Sequence, residues 1–162
     1  MNMVTDRTLL DVDRWRELRD KGWQKMSPLE RREWMGESTT TPAAWKGMYT
    51  YNDMNRVESA VEALSARLRE LGYKHPTLSV KTDWRANNHV WFADMVRYLG
   101  NVGVLRGSIP VFPTTPVAPT ADEPMTYTLA NDIEQILVDI EMIAENVPKS
   151  QFYCGEIMAG EV

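Results

Sequence analysis

Few residues of this chain have the types and spacing that chemistry needs. Asp53 and Glu58 lie close together where a long helical pattern begins, a carboxylate pair of the kind that divides acid and base work in glycoside hydrolysis. Acidic residues on amphipathic helices are usually solvated, and nothing in the sequence marks either one as buried. His75 and His89 are the only histidines. Neither has a second histidine or a cysteine at ligand spacing, so a zinc site with three or four such ligands is not expected. Cys154, the single cysteine, has no base beside it in sequence and reads as a small buried or tail residue; it excludes an internal disulfide and fits a reducing compartment. Gly100, Gly103 and Gly107 lie in a helical pattern without the strand and lysine of a phosphate loop. The chain therefore reads as non-enzymatic, with no catalytic residue, cofactor or metal expected.

The elements around these residues are clearer. Met54, Val57, Val61, Leu64, Leu68 and Leu71 step by three and four before Gly72, which predicts an amphipathic helix with glycine at its stop. A second helix is expected from Asn88 to Arg106 with Trp91, Met95, Tyr98, Val102 and Leu105 as its stripe. A third follows Thr126, carries Leu129, Ile133, Ile136, Ile140, Ile143 and Val147, and is expected to end at Pro148. Residues 7 to 21 form an N-terminal helix by pattern, and Ser27, Pro28 and Glu30 announce a short one closed by Gly36.

Three connections separate these helices. Residues 37 to 47 are threonine-rich, and the TLSV of residues 77 to 80 could form a brief extended stretch. Residues 108 to 124 hold Pro110, Pro113, Pro116, Pro119 and Pro124, so this connector is extended and stiff enough to cross a bundle. The fold class is thus all-α: about four main helices plus a short one, in a domain of residues 1 to 147, with a long proline-rich crossover before the last helix. Residues 148 to 162 have no clear period and read as a tail or a docking strand.

A weak repeat links the helix starts. Thr50, Asn55, Val57 and Glu58 align with Thr126, Asn131, Ile133 and Glu134, and Thr8, Asp11, Asp13 and Arg14 align with Thr50, Asp53, Asn55 and Arg56. The expected roles are structural: Thr8, Thr50 and Thr126 cap helices, while Asp13, Asn55 and Asn131 bond protein groups and fix helix register.

A net charge of -5 disfavours nucleic acid, whose affinity rests on clustered cations. The first fifteen residues lack a signal-peptide core, and no apolar run approaches the roughly 20 residues that span a bilayer. Recognition falls to the tryptophans. Trp15 and Trp91 lie on helix stripes and are expected in the core; Trp23, Trp34 and Trp45, with Tyr49, are candidates for an interaction surface.

Several strings in order, DRTLLDVDRW, WKGMYTYNDMNRVESAVEALSARLRELGY, KTDW, MVRYLGNVGVLRGSIPVF and MTYTLANDIEQIL, resemble a helical module of virion and tail-associated proteins of phages and prophages of Gram-positive, often gut, bacteria. The resemblance spans roughly residues 5 to 143 and departs from the pattern at residues 37 to 41 and after Ile143. It implies a structural or attachment module without a cofactor, located in the virion after synthesis in the host cytoplasm, with other virion proteins and itself as partners. A module that reads a cell-surface glycan through Trp34, Trp45 or Tyr49 is the alternative, as is a phage protein that blocks a host factor.

Overall fold

The computed structural model describes residues 2 to 37 and 42 to 158, with backbone alone for 150 to 158. Among the described residues the chain is all-helical: α1 is Leu9–Lys21, α2 Pro28–Trp34, α3 Tyr51–Glu70, α4 Phe92–Ser108 and α5 Tyr127–Met158. Short 3-10 turns at Trp23–Lys25 and Ala44–Gly47 accompany α1 and α2.

Local sequence explains the boundaries. The Asp11 carboxylate accepts from the Thr8 N–H and hydroxyl, and Thr8 Oγ1 accepts from the Asp11 N–H at 3.3 Å, so the first turn of α1 has partners for its free amides. Ser27 and Glu30 make the same reciprocal pair at α2. At α3 the Asp53 carboxylate takes the Thr50 N–H and hydroxyl. Gly22, Gly36 and Gly72, all at positive φ, sit where α1, α2 and α3 stop, a backbone region that other residues enter at a cost.

Four expectations are corrected. The α4 helix begins at Phe92, not near Asn88, and Trp91 is its capping residue with the ring 65% exposed. The pattern is continuous through Trp91, but Asp94 accepts from the Trp91 N–H and fixes the start there. The α5 helix does not end at Pro148; it continues to Met158. Proline removes the single bond to the Ala144 carbonyl, and Ala144 is the last buried residue described on α5, so the loss falls beyond the core. The expected tail is therefore helical to Met158, and residues 159 to 162 lie outside the described residues. The TLSV stretch lies outside the helices and pairs with no strand among the described residues.

The core comes from three helices: Val57, Val61 and Leu68 of α3, Tyr98, Val102 and Leu105 of α4, and Ile133, Leu137 and Ile140 of α5 are all within 1% of full burial. These helices run in one direction. Glu58, near the start of α3, pairs with Arg97, near the start of α4. The segment between them turns back along α3, since Leu78 lies beside Ser65 and Trp84 beside Asn55. The proline connector does the same along α4: Pro116 is bonded to Arg106, Ala118 lies at Gly103, and Ala121 lies near Phe92 and Val96. Thr115 then bonds Asp139 of α5 at 2.6 Å. Parallel helices require such long returns, and the helices alone would span about 25 to 30 Å, at about 1.5 Å per residue.

A third extended segment, residues 3 to 7, fills the remaining groove between α5 and α3. Three parallel helices thus carry three antiparallel straps, one in each groove, and the first strap closes the ring against the last helix. Between that strap and α3 is inserted the unit of α1, α2 and the Ala44–Gly47 turn, with its own small core of Leu18, Met26 and Ala44 flanked by Trp15 and Trp34.

Candidate functional site

Two of the polar residues expected to fix register, Asn55 of α3 and Asn131 of α5, hold the straps. Asn55 accepts from the Trp84 N–H at 2.8 Å and donates to the Trp84 carbonyl at 2.9 Å. Asn131 accepts from the Arg7 N–H at 3.1 Å and donates to the Arg7 carbonyl at 2.8 Å. One turn further along each helix, a glutamate accepts the N–H of the strap residue three positions earlier: Glu58 from Lys81 and Glu134 from Val4. The side chains of the paired strap residues donate to those same glutamates, the Trp84 indole to Glu58 and the Arg7 guanidinium to Glu134. The segments read in this way are themselves alike, Lys81-Thr82-Asp83-Trp84 and Val4-Thr5-Asp6-Arg7.

Arginines complete each seat. Arg97 of α4 makes a two-pronged pair with Glu58, at 2.6 and 2.8 Å. Arg56 of α3 does so with Glu134, at 2.7 and 3.2 Å. Both glutamates are almost wholly buried, Glu58 at 1% and Glu134 at 0% exposure, so their charges stand only because matched cations and N–H groups surround them. Asp53 joins the second cluster, holding Arg56 at 2.6 Å and Arg7 at 2.9 Å. Burial alone would raise its pKa, but the bonds from Thr50 and Arg56 outweigh this and hold the carboxyl below its ordinary value. Beside them the buried hydroxyls of Tyr49 and Tyr98 bond each other, and burial pushes both phenols well above the usual range.

The third groove is different. At the α4 positions that correspond to Asn55 and Glu58 stand Val96 and Leu99. Apolar contact replaces the polar reading, and the strap is anchored by Arg106, which donates to the Pro116 and Thr115 carbonyls.

This geometry corrects the expectation that the acidic residues of α3 are solvated. Asp53 and Glu58 are buried, and they belong to separate clusters instead of facing one cleft. Of the other expected register residues, Thr126 caps α5 by accepting from the Leu129 N–H at 3.1 Å. Asp13 fixes no register: it is exposed and pairs with Arg16 on the same helix at 3.0 Å, because its place on α1 faces water where no strap passes.

The expected interaction residues are mostly packed. Trp34 stacks on Trp15 with ring centres 6.5 Å apart, and Trp45 is half-buried with Gly36 against it. Tyr49 is engaged with Tyr98 and lies under Arg7. Trp23 alone of the four is largely exposed, at 48%, with Arg31 over its ring. Trp91, expected in the core, is outside it. Open apolar surface also lies on α4, where Phe92 and Val96 are 63% and 49% exposed beside a groove of about 400 Å³ bounded by residues 118 to 122.

His75 bonds the Pro76 and Ser65 carbonyls, and His89 meets the Trp91 ring edge-to-face. Cys154 lies outside the residues whose side chains are described. Among the described residues no group of three or more His, Cys, Asp or Glu could hold a metal ion, and no helix is long and apolar enough to cross a membrane. No family model, no curated protein and no solved structure matches the chain.

Proposed function

We propose that this protein is a non-enzymatic structural or assembly component of a phage virion, in its tail, neck, baseplate or fibre, and that it works through contacts with other virion proteins and with copies of itself. The observation that carries the protein-contact part is how its groups are divided. The buried Glu58 and Glu134 are each closed by arginines and strap amides, so they hold the fold together, whereas α4 turns Phe92 and Val96 outward along a groove. Adjacent exposed large apolar side chains mark association surfaces. The virion assignment rests on the resemblance carried by residues 5 to 143. Mass spectrometry of purified particles tests it: a fixed copy number per particle is expected, and its absence from particles in cells that make it in quantity would overturn the reading.

A further inference from the structure

The outer face of α4 has a shape of its own. Phe92, Val96, Gly100, Gly103 and Gly107 follow one another at spacings of four, four, three and four, which puts them on one side of the helix. Large side chains occupy its first half and hydrogen atoms its second. A Cβ placed on Gly100 or Gly107 would meet no atom within 4 Å, so packing within this chain does not require glycine at either position, and glycine weakens a helix interior relative to alanine. The rims are charged in opposite senses. Asp122, exposed, borders the groove at the Phe92 end, while Arg106 stands at the Gly107 end with its guanidinium on two strap carbonyls. Among the described residues neither enters an ion pair.

We propose that this face binds a second copy of the chain through a two-fold axis, with the two α4 helices antiparallel. The partner is identified by the face matching its own reverse. With the axis passing between positions 99 and 100, Phe92 of each copy lies over Gly107 of the other, Val96 lies over Gly103, and the two exposed Gly100 positions flank the axis. A two-fold axis of this kind makes one patch self-complementary. The axis keeps the connector of both copies on the same side, so Asp122 of one copy comes to Arg106 of the other, twice. Side chains fill the lane that Gly100 and Gly107 leave open, with Gly103 flanked by Ala118 of its own connector, and the helices approach closely, near the lower end of the usual packing distances. This rests on the protein-contact reading above but not on the virion assignment.

Sedimentation equilibrium of the full chain tests it. A monomer–dimer equilibrium is expected, with Val96→Glu raising the dissociation constant about 30-fold or more because it places an unpaired carboxylate in the apolar contact. Asp122→Arg, at an exposed position that holds no bond in the monomer, is expected to weaken the dimer about tenfold. In a Cys154→Ser background, Gly100→Cys lies beside the axis and is expected to form an interchain disulfide on mild oxidation, whereas Ala63→Cys, exposed on α3, is not. A chain that stays monomeric at all concentrations overturns the proposal, as does a dimer indifferent to both Val96→Glu and Asp122→Arg, or one linked through Ala63→Cys and not Gly100→Cys. A dimer from a protein missing from particles would leave this inference standing and remove the virion assignment; a monomer that is present in particles would do the reverse.

Discussion

Asn55 and Asn131, on different helices, hold the backbones of Trp84 and Arg7 by the same two hydrogen bonds, one accepted and one donated. An amide carries its donor and its acceptor on separate atoms, so it can answer both groups of a passing residue at once. Replacing either by alanine strips a partly buried N–H and a carbonyl of their partners. Asn55→Ala and Asn131→Ala are each expected to destabilise the fold by about 2 to 3 kcal/mol, read as a shift in the urea midpoint. Asp13→Ala, at the aligned position on α1, should shift it by less than about 0.5 kcal/mol. Equal effects at all three positions would show that strap reading is not what the amides do.

Glu134 closes a cluster in which Arg7 and Arg56 both depend on it. Removing it leaves two guanidinium groups in a nearly dry site with only Asp53 between them. Glu134→Ala is expected to cost about 3 to 5 kcal/mol, the range for breaking a buried pair on one side. Glu134→Leu together with Arg7→Met should recover part of that loss, since an apolar pair of similar volume avoids the desolvation of both partners. Denaturant titration of the single and double variants decides this, and a loss below about 1 kcal/mol for Glu134→Ala would contradict the burial described for it.

Gly47 lies where α1 crosses the second 3-10 turn. A Cβ there would fall 2.2 Å from the Asp11 carbonyl oxygen and 2.8 Å from the Val12 Cα. Both are backbone atoms of a capped helix and neither can swing away. Gly47→Ala should therefore cost about 2 kcal/mol or more through overpacking, while Gly100→Ala, in open space, should leave the monomer as stable or slightly more stable. A thermal melt comparing the two is sufficient.

The acid response follows from Asp53, whose folded pKa lies below the ordinary 3.8. A carboxyl with a lowered folded pKa adds stability that is complete above the unfolded value and is lost as pH falls through the folded one. Asp11 carries the same sign: burial would raise it, but bonds from Ala43 and Thr8 prevail. The midpoint of thermal unfolding should thus hold steady from neutrality to about pH 4 and fall steeply below it. In Asp53→Asn the fall should be shallower. Identical slopes for the two proteins would assign the acid loss to other groups.

Much of the fold could be read from spacing. The stripes of α3 and α5, the caps at Thr8 and Ser27 and the glycine stops follow from periodicity and local hydrogen bonding, which a single sequence carries in full. What it concealed was direction. Parallel and antiparallel helices have the same stripes, and only the returning straps distinguish them. Glu58 and Glu134 were in view as aligned residues, yet their burial was not, because a charge on a helix looks solvated until its cation is found on another element, as Arg97 and Arg56 are. The likeness of KTDW to VTDR was the readable signal: two short segments, far apart in the chain, that fit the same seat. Trp91 misled because the apolar pattern of α4 runs one residue past the point where Asp94 starts the helix.

The strap at residues 4 to 7 also sets an order of events. Its seat is built from Asn131 and Glu134, so during translation, at roughly 5 to 20 residues per second, it leaves the ribosome many seconds before the helix that receives it exists. In that interval α1, α2 and the Ala44–Gly47 turn can settle on their own short-range contacts, but Arg7 has neither Asp53 nor Glu134 to neutralise it. Residues 4 to 7, synthesised before the three long helices, are thus among the last parts of the fold to be locked in place. Until then the groove between α5 and α3 stands open to any chain that carries the same short segment.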